Sequence, residues 1–254
     1  MSAGDPKKLA ALLKKLRAAH GAQPPSPPDL APESPDGFDD LLHQLIFSMM
    51  LWEATTTQAR NAVKRLREHF ADANELRVCM ADDTVACLGE RYPLARERAL
   101  RLRHALHDIF QRQQVLSLTP LHALPRKDAA AFLESLDGLP LFAAQRVSVV
   151  SLDAHACPVD SRMRDHLAKD RIVPDDMPAA EASRFITHNT KAEDALTTYL
   201  LLQEWSDDKA ETAKRAKAPK APAESDNQTP PPTVKRKPAR TAPPASRKAK
   251  GSKP

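Results

Sequence analysis

Apolar residues along the first twenty positions fall on one helical face: Leu9, Leu12, Leu13 and Leu16 recur together, ringed by Lys7, Lys8, Lys14, Lys15 and Arg17. Asp5-Pro6 supplies an N-cap acid and a proline at the first helical position, and Gly21 ends the run. A basic amphipathic helix of this kind can lie on a membrane or an acidic partner, but packing on the rest of the chain is the expected arrangement. Residues 21–36 follow as a Pro-rich, extended linker. A helical body is expected over residues 37–206. It opens with a wide apolar stripe (Phe38, Leu41, Leu42, Leu45, Ile46, Met49, Met50), broad enough for a central buried helix. Thr55 to Thr57 offer hydroxyl caps for a helix through Ala59, Ala62, Val63, Leu66 and Phe70. Further helices are expected at 73–81, 82–89, 93–113, 128–136, 142–150, 179–186 and 191–205, and another opens at Val159-Asp160-Ser161.

Composition narrows the class. Aromatic residues make up 4% of the chain and glycines number only 6, which disfavours a turn-rich all-β fold and leaves an all-α one. No apolar run approaches the ~20 residues of a membrane span, so no membrane role and a cytoplasmic location are expected. Cys79, Cys87 and Cys157 are too scattered for a disulfide framework or a metal site, so no metal and no cofactor are expected. The net charge of +5 is unevenly distributed. From Asp208 onward 13 Lys/Arg face 4 Asp/Glu, a net of +9, and the preceding residues therefore carry −4. Residues 207–254 are rich in Pro, Ala, Lys and Arg and hold no aromatic residue, the composition of a disordered basic tail. Lys235, Arg236, Lys237, Arg240, Arg247 and Lys248 are its candidate phosphate contacts, resembling histone-H1-like tails; solubility alone is the competing role. Arg96, Arg98, Arg101 and Arg103 form a row on the 93–113 helix that could flank DNA, although a solvated face is the expected account.

The turn at Leu136-Asp137-Gly138-Leu139-Pro140-Leu141, between two predicted helices, has the form of a helix-hairpin-helix. Gly138 permits a left-handed backbone there, and the first amides of the second helix can then hold a phosphate. Gly138, Leu139, Leu141 and Ala143 are the candidate contacts. Taken with QLIFSMMLWEATTTQA, the 70–106 segment and CPVDSRMRDHL, the stretch LESLDGLPLFAAQRVSVV resembles the endonuclease III-like helix-hairpin-helix superfamily of DNA glycosylases over about residues 37–206. The resemblance implies a helical glycosylase-like domain, double-stranded DNA as partner, a role in base-excision repair beside the nucleoid, and Asp160 as the acid that stabilises charge on the sugar once the base is flipped.

It also implies losses. Phe142 stands where bifunctional members carry the lysine that forms a Schiff base, so lyase chemistry is not expected. Pro140 replaces the second hairpin glycine, and Arg162 the histidine after the acid. Glu53 occupies the position of a glutamine that enters the DNA gap, and no cysteine follows Cys157 to build the family's iron–sulfur site. Asp160 could serve as a helix N-cap alone, or as cap and catalytic acid together. The open alternatives are thus a monofunctional N-glycosylase, a non-catalytic DNA- or chromatin-binding protein, and a protein-interaction scaffold without a nucleic-acid role. The sequence indicates no particular protein partner.

Overall fold

In the computed structural model, which describes residues 4–20 and 40–217, every regular element is helical. None of these helices is long and apolar enough to cross a membrane. α1 (Pro6–His20) is followed, after the undescribed linker, by α2 (Asp40–Leu51), α3 (Thr56–His69), α4 (Ala73–Val78), α5 (Ala81–Leu88) and α6 (Ala95–Gln113). The second half contains α7 (Arg126–Glu134), α8 (Leu141–Ser151), α9 (Ser161–Lys169), α10 (Ala179–His188) and α11 (Ala195–Lys217). α11 continues past Asp207, where the sequence places the start of the tail; Lys209 reaches back to Asp170 at 3.1 Å along this extension.

α2 is the hub, because ten of its twelve residues are buried, as a stripe this wide requires. It packs mainly on α3 and α8. Thr55 starts α3 through a capping box: its hydroxyl accepts from the Gln58 amide, and the Gln58 side chain accepts from the Thr55 amide at 3.0 Å. α1 packs on α11, burying Leu9, Leu13 and Leu16. It is fastened at its start, where the Asp5 amide donates to Ile172 O at 2.8 Å and Lys8 Nζ to Arg171 O at 3.1 Å. The basic amphipathic helix therefore spends its apolar face inside the protein.

Two buried arginines organise the core. Arg146 of α8, 1% exposed, lies over the Phe47 ring and donates to Gln44 Oε1, Ser48 Oγ and Tyr199 Oη, each at 3.0 Å, so one guanidinium joins α2, α8 and α11. Arg98 of α6, with no exposed surface, donates to the Met49 and Trp52 carbonyls at the end of α2 and to Pro93 O. These carbonyls lack helical partners, and the guanidinium fork satisfies them. Arg98 is thus a buried clamp, contrary to its place in an outward-facing arginine row.

The turn between α7 and α8 sits on α6. The Asp137 amide donates to Asp108 Oδ2 at 2.9 Å, and Arg112 donates to Ser135 Oγ and O at 2.7 and 2.9 Å. Gly138 has φ +77°, and an added Cβ would stand 2.6 Å from Arg101 O and 2.9 Å from His104 Cβ. Left-handed strain and overpacking should together make Gly138→Ala cost about 2–4 kcal/mol in urea unfolding. A loss below about 0.5 kcal/mol, the range of neutral surface changes, would mean the turn yields freely.

Candidate functional site

α2 ends one residue before a sharp turn. Trp52 is half-buried beneath two cations, with Arg98 Cζ 5.7 Å and Arg101 Cζ 5.4 Å from its ring centroid. Glu53 follows with φ +57°, a left-handed conformation that a non-glycine residue holds only when its surroundings impose it. What imposes it is a reciprocal clasp with the start of α9. The Glu53 amide donates to Asp160 Oδ2 at 3.0 Å, and the Ser161 amide donates to Glu53 Oε1 at 2.8 Å. Asp160 Oδ1 accepts from the Met163 amide at 2.8 Å, which makes Asp160 the N-cap of α9. Each carboxylate thereby satisfies an amide of the other's segment.

Asp160 is 2% exposed. Burial pushes its carboxyl up to about 6; the Arg162 guanidinium opposes this, the Glu53 carboxylate adds to it, and the Met163 and Glu53 amides oppose it. Arg162 stands with Nε 3.8 Å from Asp160 Oδ2, while its Nη1 donates to Asp207 Oδ1 at 2.9 Å. Asp207 also accepts from the Thr56 amide at 3.1 Å and from Gln203 Nε2 at 3.2 Å, so α3, α9 and α11 meet behind the clasp. Arg98, whose charge lies near Glu53 and Asp160, is lowered by burial to about 10 and stays charged at neutral pH.

At the hairpin, Leu139 spends its amide on Leu136 O and buries its side chain, whereas Leu141 is 40% exposed. Pro140 forms the N-cap of α8 with no side-chain hydrogen bond, and the amides of Leu141, Phe142 and Ala143 have no partner among the described residues. The side chains of Phe142 and Ala143 are buried, so position 142 fills core space. The structure brings Glu53 and Asp160 into contact and places Gly138, Leu139, Leu141 and Ala143 on one turn. Lys235, Arg236, Lys237, Arg240, Arg247 and Lys248 lie outside the described residues. Arg98, Arg162 and Asp207 escape sequence reasoning because arginine and aspartate usually mark solvent, and only tertiary packing turns them inward. Cys157 is buried in the core, and burial pushes its thiol up to about 12.

Comparisons with known proteins place this fold. An endonuclease III–DNA covalent intermediate superposes with a TM-score of 0.57 at 14% identity, over 79% of this chain and 85% of that one. The Clostridium acetobutylicum 8-oxoguanine glycosylase/lyase bound to double-stranded DNA gives 0.57 at 15% identity, over 80% and 69%. The 3-methyladenine DNA glycosylase of H. pylori, bound to 1,N6-ethenoadenine, gives 0.52 at 14% identity, over 82% and 98%. No family model and no curated protein matches the sequence. The described residues have the all-helical fold of these helix-hairpin-helix DNA glycosylases.

The buried carboxyl has a measurable consequence. Its folded-state value is raised to about 6 from the ordinary 3.8, so its contribution to stability is complete below about pH 3.8 and is lost as pH rises through about 6. Asp160→Asn removes this titration. The wild type should lose about 1–3 kcal/mol relative to the variant between those limits, read from urea midpoints at a series of pH values. Parallel pH profiles would show that the carboxyl ionises freely.

Proposed function

We propose that this protein binds double-stranded DNA on a glycosylase scaffold whose acid has become a structural part. The observation that carries this reading is the sealing of Asp160: it is 2% exposed and both of its oxygens accept amides, from Met163 and Glu53. Stabilising a developing sugar cation requires a carboxylate within reach of the sugar. Here the carboxylate is buried and held at both oxygens by backbone amides, and Glu53, which covers it, is itself held by the Ser161 amide. Phe142 offers no nucleophile.

Binding has its own support. The three free amides at the start of α8 form an anion site of the kind helix N-termini provide, and they stand in for the N–H that Pro140 lacks. The Glu53 carboxylate, which in the open would repel phosphates, is turned onto the Ser161 amide. The basic segment beyond Lys217 supplies sequence-independent attraction. One observation favours a second reading, monofunctional hydrolysis. A carboxyl held at about 6 is tuned to transfer protons near neutral pH, and it would be uncovered if Glu53 left Ser161.

The two readings separate on duplexes carrying a panel of damaged or mismatched bases, treated with alkali after incubation. We expect no strand cleavage by the wild type or by Asp160→Asn, together with duplex binding that salt weakens steeply and that deletion of residues 218–254 reduces. Cleavage by the wild type alone would replace this proposal with the hydrolase. Absence of binding at low salt would end the nucleic-acid reading.

A further inference from the structure

Of the four arginines in the row on α6, three are used within the protein. Arg96 pairs with Asp82 at 2.6 Å, Arg98 clamps α2, and Arg101 is held by Glu97 at 2.8 Å while lying over Trp52. Arg103 has no hydrogen bond or ion pair with any described residue. It opens into a groove of about 620 Å³. The floor is α6, through Arg103, His104, His107 and Gln111. One wall is α4, carrying Arg77 and Val78, and the other is the hairpin turn at Asp137.

Arg77 lies over the Phe110 ring, Cζ 4.1 Å from its centroid, and donates to Asn74 Oδ1 at 3.4 Å; it pairs with no carboxylate among the described residues. Of the two carboxylates of the groove, Asp108 is occupied, accepting from Arg112 at 2.7 Å and from the Asp137 amide at 2.9 Å; the Asp137 carboxylate is exposed at the rim, 3.6 Å from His104 Nδ1. The groove therefore presents two guanidiniums that pair with no carboxylate among the described residues, against one open carboxylate at its rim, and a guanidinium fork matches phosphate oxygens. It adjoins the turn that leads into the open amides of α8. The floor of the groove from Arg103 to Gln111 rises about 12 Å. Each DNA strand carries a phosphate about every 3.4 Å of axis, so a backbone held at the hairpin has phosphates within reach of the groove.

We propose that this groove is a second backbone site, in which Arg77 and Arg103 hold phosphates of the duplex beyond those at the α8 amino terminus. The inference rests on the DNA-binding reading above and extends it by a stated surface. An acidic protein segment has related chemistry, but continuity with the hairpin turn favours the nucleic-acid backbone.

The test uses the full chain and a labelled undamaged duplex, titrated by fluorescence anisotropy over a range of salt. An Arg77→Gln/Arg103→Gln variant is compared with Lys64→Gln/Arg96→Gln, which removes the same charge outside the groove. The groove variant should bind more weakly, and its slope of log K against log salt should shrink by about 2, while the control moves far less. Arg77 and Arg103 are half-buried and the control pair is exposed, so melting temperatures are compared alongside, and glutamine keeps most of the side-chain length at both. Wild-type binding with an unmoved slope in the groove variant overturns the groove and leaves the DNA reading standing. No wild-type binding at low salt overturns both. Capture of polyglutamate that the groove variant loses, with duplex affinity unchanged, overturns the proposal in favour of an acidic protein partner.

Discussion

One buried carboxylate holds two chain ends in register. Asp160 begins α9 by capping it and fixes the exit from α2 by accepting the Glu53 amide. Glu53 returns the same service to Ser161. Asp160 cannot leave without stranding the buried Met163 amide, and a buried unsatisfied amide costs about 1–3 kcal/mol. Behind them Arg98 closes the carbonyl end of α2, and Arg162 with Asp207 closes the side facing α3 and α11. The local geometry follows from this arrangement: the left-handed backbone at Glu53, the position of Trp52 beneath two guanidiniums, and the depth of Asp160 itself.

A glycosylase-like fold thus coexists with a site built for closure. An acid that works on a sugar needs access, and an acid that caps a helix needs amides; Asp160 has the amides. The hairpin tells a complementary story. Proline at position 140 removes one donor, and the three amides that follow it at the start of α8 have no partner among the described residues.

Much of the fold was legible because helices announce themselves by period. The stripe from Leu41 to Met50, the threonines before α3 and the acid before α9 fall where the elements begin and bury. Gly138 was legible for the same reason, since a left-handed turn between two helices asks for glycine. The site was only half legible. Position 160 could be named, but whether its carboxylate faced a cleft or a pair of amides depends on Glu53, 107 positions away. Arg98 reads from local sequence as one of four outward arginines; its direction is decided by the carbonyls at the end of α2, which no window around α6 contains. The end of α11 was misjudged because Ala, Lys and Glu after Asp207 suit a helix as well as a solvated tail.

Arg146 carries a consequence of a different kind. It places a guanidinium in the core and shares it among an amide, a hydroxyl and a phenol. Gln44, Ser48 and Tyr199 therefore do not mutate independently: a change harmless beside an aliphatic neighbour deprives the guanidinium of an acceptor here. Three distant stretches of sequence are bound into a single evolutionary unit, so drift that is free elsewhere on this scaffold must come in compensating sets at this junction.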